Sequence, residues 1–231
     1  MNIVVNGGSK GIGKETVAVL AKDPHNQILV TGRDEPALKK IADNCTNQNV
    51  SYTVIDLISL EKHSEYFKEQ VYNRFSKVDI LINNAGLLIV KDFIASGPDE
   101  GRQMMEANLF GPSTVIRILF PIMAKGSHIV NISSMGGYQG SAKYRGLAWY
   151  SASKAALAVL TECLAEEFSE FGISVNCLAL GSVQTEMFES AFPGAKAMIS
   201  PQEMAEFISE FAIKGNRYFN GKILPVALKN P

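Results

Sequence analysis

Short runs dense in isoleucine, valine and leucine alternate with longer amphipathic stretches along nearly the whole chain, and this order most constrains the fold. Strands that alternate with helices form a parallel sheet, and strands without polar alternation are buried on both faces. We therefore predict an α/β fold in a single doubly wound domain over residues 1–231, with a parallel sheet and helices on both faces. The predicted strands are Ile3–Val5, Gln27–Thr31, Val50–Ile55, Ile80–Asn83, Ser127–Ile132 and Ser174–Leu178, and the predicted helices lie near 12–22, 34–44, 59–75, 98–124, 148–171 and 201–213.

Composition and charge argue against several classes of protein. A net charge of −1 gives no electrostatic basis for binding nucleic acid or an anionic membrane. No run approaches the roughly 18 apolar residues of a membrane span, and the first apolar run is too short for a signal peptide. Cys45, Cys163 and Cys177 are far apart and odd in number, which favours reduced thiols over disulfides or a zinc site. We expect a cytoplasmic protein without a metal.

A glycine-rich turn follows the first predicted strand and precedes a helix. The segment from Asn6 to Gly13 reads Asn-Gly-Gly-Ser-Lys-Gly-Ile-Gly. Glycine lets the backbone approach a ligand closely, and the N-terminus of the helix attracts a phosphate. The Gly-x-x-x-Gly-x-Gly spacing is looser than the usual dinucleotide fingerprint, so a turn that binds nothing stays an alternative. The position at the first strand-to-helix junction favours phosphate binding.

The end of the second predicted strand indicates which nucleotide is bound. Enzymes that use NAD place an acid there to hold the ribose 2′-hydroxyl. Here the chain has Gly32 and Arg33, and a guanidinium grips a 2′-phosphate with two parallel hydrogen bonds. Lys10 adds a second cation, although both cations are also typical of solvated surface, and Asp34 could serve the ribose. The pattern favours NADP(H) over NAD(H).

Tyr150 and Lys154 are four residues apart in a predicted helix, which places both on one face. An ammonium near a phenol favours the phenolate, so we expect it to lower the tyrosine pKa and to suit the phenol for proton transfer. The spacing alone is weak, because Tyr218 and Lys222 share it without a helix to align them. Lys154 is the only cation between residues 147 and 171, and such a charge needs a partner.

These segments together resemble the short-chain dehydrogenase/reductase family of standard length, and among its members the 3-oxoacyl-[acyl-carrier-protein] reductases and general ketoreductases. The resemblance covers most of the chain, and its specificity comes from the order and spacing of the motifs. The matching pieces are the glycine turn from Asn6 to Gly13, Asp56-Leu57, Asn83-Asn84-Ala85-Gly86, Asn108, Ser134, Tyr150-x-x-x-Lys154, and Gly181 to Thr185.

The resemblance implies a Rossmann-type oxidoreductase that moves a hydride between NADP(H) and a carbonyl or alcohol. Ser134 would bind the substrate oxygen, Tyr150 would move the proton, and Lys154 would bind the nicotinamide ribose. Asn108 would hold a water that links Lys154 to solvent, and Ser133 is the alternative to Ser134. The implied catalytic residues are Asn108, Ser134, Tyr150 and Lys154, and the implied cofactor-binding residues are Gly7, Ser9, Lys10, Gly11, Ile12, Gly13, Arg33, Asp56, Leu57, Asn83, Ala85, Gly86, Tyr150, Lys154, Gly181, Val183 and Thr185.

The sequence departs from the family pattern in four places. Asn6 replaces a threonine, and its amide is expected to bond locally in the turn. Leu180 replaces a proline. The segment between Ser134 and Tyr150 is about three residues longer than usual, and the segment 221–228 lacks the common Asp-Gly-Gly ending. The last two departures bear on the substrate and on assembly.

Several features bear on the substrate and on partner chains. Residues 186–193 fit either a lid over a small substrate or an ordinary helix on the core. Lys143 and Arg145 fit either an anion-binding loop or solvated cations. Tyr138, Tyr144 and Trp149 fit either apolar walls of the substrate pocket or, as is more common for aromatic residues, simple packing. The wide apolar arc of the helix 148–171 predicts a homodimer or homotetramer.

A catalytically weak regulator or scaffold that binds NADP on the same fold is the alternative function. Relatives of that kind often lose the tyrosine or the lysine, and this chain keeps both Tyr150 and Lys154. The site residues therefore favour the enzyme, since the fold alone does not determine function.

Overall fold

The computed structural model describes residues 1–228, and its centre is a seven-stranded sheet. Every described strand pair is parallel, in the order β3-β2-β1-β4-β5-β6-β7, which confirms the predicted fold class. The strands are β1 Asn2–Asn6, β2 Gln27–Gly32, β3 Val50–Val54, β4 Val78–Asn83, β5 Met123–Ser134, β6 Ser174–Leu180 and β7 Ile223–Val226.

Helices cover both faces because successive side chains of a strand point to opposite sides. Ile3 and Val5 of β1 pack in one apolar core and Val4 packs in the other. The first core includes residues of α1, α2 and α8, and the second includes residues of α3, α5 and α6. The helices are α1 Gly11–Leu20, α2 Glu35–Asp43, α3 Ser64–Tyr72, α4 Pro98–Met105, α5 Gly111–Leu119, α6 Ala148–Glu167, α7 Glu186–Ala191 and α8 Pro201–Lys214.

The predicted helix 98–124 is not continuous. A π-helical turn at Glu106–Phe110 separates α4 from α5, and β5 already begins at Met123. Pro112 has no N–H to donate to a residue four positions earlier, which explains a change of hydrogen-bond register here. The prediction was therefore too long and missed the π-turn.

Other boundaries also differ from the predictions. The predicted helix 59–75 begins as a 3-10 helix at Leu57–His63 before α3. The predicted helix 148–171 ends earlier, because α6 stops at Glu167 and a 3-10 helix at Ser169–Phe171 follows it, capped by Gly172 with a φ of +66°. The seventh strand was not predicted. It contains Pro225, which cannot donate a ladder hydrogen bond, and β7 tolerates it as an edge strand.

Within residues 1–228, none of the helices has the length and apolarity to cross a membrane.

Buried side chains form a hydrogen-bond chain across the middle of the sheet. Thr31 Oγ1 on β2 donates to Asn6 Oδ1 on β1 (2.8 Å), and Asn6 Nδ2 donates to Asn83 Oδ1 on β4 (2.7 Å). Asn83 Nδ2 then donates to Asn131 Oδ1 on β5 (2.8 Å), and Asn131 Nδ2 donates to Thr161 Oγ1 on α6 (2.9 Å). The expectation that the Asn6 amide bonds within its own turn was therefore wrong, since it bonds to the two neighbouring strands.

We predict that Asn6→Ala lowers the free energy of unfolding by about 2 kcal/mol, because it leaves two buried polar groups without a partner. Urea unfolding measures this change. Asn73→Ala, at the exposed end of α3, is the matched control and is expected to change stability little. Equal stabilities of Asn6→Ala and the wild type would contradict the importance of this chain of bonds.

Candidate active site

A cleft of about 490 Å³ opens at the carboxyl ends of the strands, where doubly wound folds bind ligands. It collects segments that follow β1 through β6. The predicted site residues that line it are Gly7, Ser9, Lys10, Gly11, Ile12, Arg33, Asp56, Leu57, Ala85, Gly86, Ser134, Tyr150, Lys154, Gly181, Val183 and Thr185. Three other predicted residues, Gly13, Asn83 and Asn108, lie outside the lining.

The glycine turn packs too closely against the chain after β4 for a side chain. Gly7 has a φ of +79°, and a Cβ on it would lie 2.4 Å from Ala85 Cα. A Cβ on Gly13 would lie 2.1 Å from the carbonyl oxygen of Gly7. Gly13 is therefore buried beneath the turn and supports its shape, and its contact with the cofactor stays a prediction.

The start of α1 faces the cleft with free backbone donors. The helix begins at Gly11, and within the described chain Lys10 gives this end no side-chain cap. Gly11 and Ile12 line the cleft. Unpaired N–H groups and the positive end of the helix dipole suit a phosphate.

The carboxyl ends of β2 and β3 bring Arg33 and Asp56 together. Arg33 Nη1 lies 3.9 Å from Asp56 Oδ2, and both side chains are exposed to solvent (65% and 41%). An exposed ion pair at this distance is weak and easily rearranged. Asp34 instead caps α2 by accepting from the Ala37 N–H (3.1 Å), so its use for a ribose is disfavoured.

Asn83 does not reach the cleft, although it was predicted to line the cofactor. Its amide belongs to the buried hydrogen-bond chain, so only its predicted bracing of the sheet is observed. The neighbouring Asn84 does line the cleft, and its Nδ2 donates to the Gly7 carbonyl (2.8 Å). The sequence analysis missed this contact, although Asn84 stands in the motif that it quoted.

Ser134, Tyr150 and Lys154 lie together where β5 ends and α6 begins. Ser134 is the last residue of β5, and its hydroxyl accepts from the Gly136 N–H (3.1 Å). Tyr150 stands in the first turn of α6 and Lys154 one turn later. Ser133, the alternative to Ser134, donates to the Lys154 carbonyl (2.8 Å) and so anchors α6. The geometry favours Ser134 over Ser133.

Lys154 is buried, with only 4% of its surface exposed. Its Nζ donates to the Ile132 carbonyl (2.9 Å). Burial removes the ammonium from water and lowers the pKa of Lys154 to about 8. The amine is therefore mostly charged at neutral pH and about half charged near pH 8.

The prediction that the pKa of Tyr150 is lowered was wrong. Burial raises the pKa of Tyr150 above its ordinary value, and the hydrogen bond to Ser134 opposes that rise only in part. Desolvation of the phenol has the larger effect, and the spacing of Tyr150 and Lys154 in the sequence does not reveal it. Tyr150 is thus a protonated phenol at neutral pH.

Asn108 occupies the π-turn between α4 and α5. Its Nδ2 donates to the carbonyl of Leu87 and to Ser153 Oγ (both 2.9 Å), and its Oδ1 accepts from the Leu87 N–H (2.7 Å). A Cβ on Gly86 would lie 3.2 Å from Asn108 Oδ1 and 3.1 Å from Lys154 Nζ, so both side chains meet at Gly86. The water predicted at Asn108 stays a prediction.

Comparisons with known proteins identify the family. A family model described as short chain dehydrogenase matches residues 1–196. An uncharacterized oxidoreductase of Staphylococcus saprophyticus is 30% identical over 208 residues, which are 88% of this chain and 87% of the relative. The chain belongs to the short chain dehydrogenase family. It is therefore an oxidoreductase of that type.

Solved structures show the same Rossmann-like fold. A short chain dehydrogenase from Escherichia coli CFT073, complexed with NADPH, has a TM-score of 0.87 at 24% identity and covers 97% of this chain and 95% of its own. One from Burkholderia cenocepacia J2315, in complex with NADP, has a TM-score of 0.86 at 22% identity and covers 97% and 95%. NADPH is bound to the first of these two proteins and NADP to the second.

The segment after β5 contributes one of the three candidate aromatic walls. Tyr144 lines the cleft of this short chain dehydrogenase. Trp149 instead packs on α4, where a Cβ on Gly101 would lie 2.8 Å from its ring, and Tyr138 is also outside the lining. Of the two alternatives for these aromatic residues, the structure favours a pocket wall for Tyr144 and packing for Trp149.

The two cations of the same segment are held away from the cleft. Arg145 Nε donates to Asp92 Oδ1 (2.8 Å). Lys143 Nζ donates to the Tyr138 carbonyl (2.7 Å) and to Ser141 Oγ (2.6 Å). Neither Lys143 nor Arg145 lines the cleft, so the geometry does not support their use for an anionic substrate.

The helix α7 borders the cleft instead of packing in a core. None of its described residues is buried, while Met187 and Phe188 line the cleft. Thr185 caps the helix by accepting from the Phe188 N–H (3.2 Å), and Lys10 Nζ lies 3.1 Å from Glu186 Oε2. Of the two interpretations of residues 186–193, the structure favours the lid.

We predict that one lysine resonance, from ¹³C-labelled lysine side chains, titrates near pH 8 in NMR spectra, because burial favours the neutral amine of Lys154. The resonance is expected to vanish in Lys154→Met and to persist in Lys10→Met, the control on the same cleft. If every lysine resonance titrates near the ordinary pKa of about 10.4, the predicted shift is wrong.

Proposed function

We propose that the protein is a single-domain, NADP(H)-dependent oxidoreductase that transfers a hydride between the nicotinamide and a carbonyl or secondary alcohol. The observation that carries this proposal is the placement of Ser134, Tyr150 and Lys154 in the same cleft as the glycine turn. Two hydroxyls can then meet a substrate oxygen beside a site for a dinucleotide.

Ser134 and Tyr150 have different roles at the substrate carbonyl. Ser134 donates a hydrogen bond to the carbonyl oxygen and positions it. Tyr150, protonated at neutral pH because burial raises its pKa, gives its proton to that oxygen as negative charge develops. Bound NADPH supplies the hydride that the protein itself does not carry. In the reverse direction Tyr150 accepts the proton of the alcohol.

Lys154 acts on both Tyr150 and the cofactor. In its charged form the ammonium stabilises a phenolate on Tyr150, and its N–H donors suit the hydroxyls of the nicotinamide ribose. Two hydrogen bonds within the protein hold Lys154 in place. Its Nζ donates to the Ile132 carbonyl (2.9 Å), and Ser133 Oγ donates to the Lys154 carbonyl (2.8 Å). Asn108 beside Gly86 completes the proposed catalytic group.

The residues present fit a dinucleotide with a 2′-phosphate. The stretch from Ser9 to Ile12 offers backbone donors to the pyrophosphate at the start of α1, while the N–H groups of Gly7 and Gly8 donate to the Thr31 carbonyl. Arg33, with a weak exposed partner, can turn its guanidinium to the 2′-phosphate. The proposed contacts to the adenine are Asp56 and Leu57, and those to the nicotinamide are Ala85, Gly86, Gly181, Val183 and Thr185.

We expect Tyr150→Phe to lower kcat/KM for carbonyl reduction by about 1000-fold, because general acid catalysis contributes typically that much. The measurement follows NADPH absorbance with a panel of ketones and acyl thioesters. The panel includes thioesters because the sequence resembles 3-oxoacyl-[acyl-carrier-protein] reductases as well as general ketoreductases.

The dissociation constant of NADPH is the control for Tyr150→Phe, and it is expected to change little. A wild type and a variant that bind NADPH and are equally inert with every substrate would support the alternative, a regulator or scaffold that binds NADP without turnover.

Arg33→Ala is expected to weaken NADPH binding by about tenfold or more and to leave NADH binding nearly unchanged, because only NADPH carries the 2′-phosphate that a charged hydrogen bond recognises. Fluorescence titration measures both dissociation constants. Arg74→Ala, which removes an exposed arginine beyond α3, is the control. A wild type that prefers NADH would contradict the role of Arg33.

We further propose that the protein acts in the cytoplasm as a homodimer or homotetramer on a small-molecule substrate. The support for the compartment is that Cys45, Cys163 and Cys177 are free thiols. The support for assembly is that Val159 on α6 and Phe110 before α5 expose about half of their apolar surface (56% and 51%).

A further inference from the structure

The cleft draws its lining from both sides of the central strands. The glycine turn, Arg33 and Asp56 follow β1, β2 and β3. On the other side, Ser134 ends β5 and Thr185 follows β6. The outer part of that second side we call the substrate chamber. It consists of Met135, Tyr144, Leu147, Met187, Phe188, Ala191, Phe192 and Ala195.

None of the residues named for the substrate chamber is charged, while the charged described residues on the same side of the cleft are Lys154 and Glu186, outside the chamber. Glu186 lies beside it, but its carboxylate pairs with Lys10 of the glycine turn (3.1 Å). Arg145 and Lys143 bond to Asp92 and to their own loop outside the cleft. A carboxylate or phosphate brought into the chamber would therefore lose water and meet no cation among the residues that line it, which is unfavourable.

Three aromatic rings meet at the outer end of the chamber. The rings of Tyr144 and Phe192 are 5.6 Å apart at an angle of 68°, and those of Phe188 and Phe192 are 5.3 Å apart. None of the three rings is fully buried, and all three line the cleft. Partly exposed rings in a cleft offer faces and edges to another apolar ring.

We propose that the preferred substrates are uncharged ketones that carry an apolar ring, and that Tyr144, Phe188 and Phe192 select them. This rests on the proposed function for the reaction. The carbonyl carbon accepts the hydride that NADPH loses, and the carbonyl oxygen takes the proton of Tyr150. The products are a secondary alcohol and NADP⁺, and solvent returns the proton to Tyr150.

The test compares three ketones with NADPH: acetophenone, 4-acetylbenzoate and 2-butanone. Acetophenone and 4-acetylbenzoate share the ring and the carbonyl and differ by a carboxylate. We expect kcat/KM for acetophenone to exceed that for 4-acetylbenzoate by about 100-fold, because the carboxylate meets no cation. Comparable values, or a preference for the carboxylate, would overturn the proposal.

Variants test which residues select the ring. In Phe192→Ala the ratio of kcat/KM for acetophenone to that for 2-butanone is expected to fall about tenfold, since only acetophenone loses a ring contact. Phe192→Tyr keeps the ring and is expected to keep most of the ratio. Tyr218→Ala, an exposed aromatic outside the cleft, is the control. An unchanged ratio in Phe192→Ala would overturn the assignment of Phe192.

Binding separates failure of the substrate class from failure of the proposed reaction. Calorimetry on Tyr150→Phe saturated with NADPH measures the affinity for acetophenone and for 4-acetylbenzoate without turnover. If the wild type reduces no ketone but acetophenone still binds and Phe192→Ala weakens it, the reaction is wrong and the chamber assignment is supported. If acetophenone neither reacts nor binds, the substrate class is overturned.

Discussion

Thr31, Asn6, Asn83, Asn131 and Thr161 hydrogen-bond in series through the interior, from β2 across β1, β4 and β5 to α6. Each amide in the series both donates and accepts, so a slip of any strand by one residue would leave buried polar groups unpaired. Apolar packing tolerates small displacements better than such bonds do. The series therefore holds the ends of the central strands at matched heights, and the cleft opens where those strands end.

The same series orients the helix that carries the proposed acid/base. Thr161 and Lys154 are seven residues apart on α6, which is about two helical turns, so they share a face. The bond from Asn131 to Thr161 thus helps to turn Lys154 towards Ile132, whose carbonyl accepts from Nζ. Burial in that position lowers the pKa of Lys154 to about 8 and raises that of Tyr150. The packing of α6 against β5 therefore sets both the positions and the pKa values of Lys154 and Tyr150.

Charge is distributed unevenly along the cleft. The side that follows β1 to β3 has Lys10, Arg33 and Asp56, and their ion pairs are exposed and weak enough to rearrange around a phosphate. The side that follows β5 and β6 ends in Tyr144, Phe188 and Phe192. A nucleotide with charged groups and the proposed apolar substrate would therefore each meet a suitable surface in the cleft that Tyr150 also lines.

Local pattern determined the fold class, six of the strands and the segments that border the cleft, because periodicity and glycine positions are properties of neighbouring residues. Tertiary structure decided what depends on distant partners. Asn6 bonds to the neighbouring strands and not within its own turn, Asn83 bonds to Asn6 across the sheet, and Gly13 packs under Gly7, and the local pattern does not specify these contacts. Arg145 pairs with Asp92, more than fifty positions away. The pKa of Tyr150 rises because desolvation depends on what packs around the phenol, which the spacing to Lys154 does not contain.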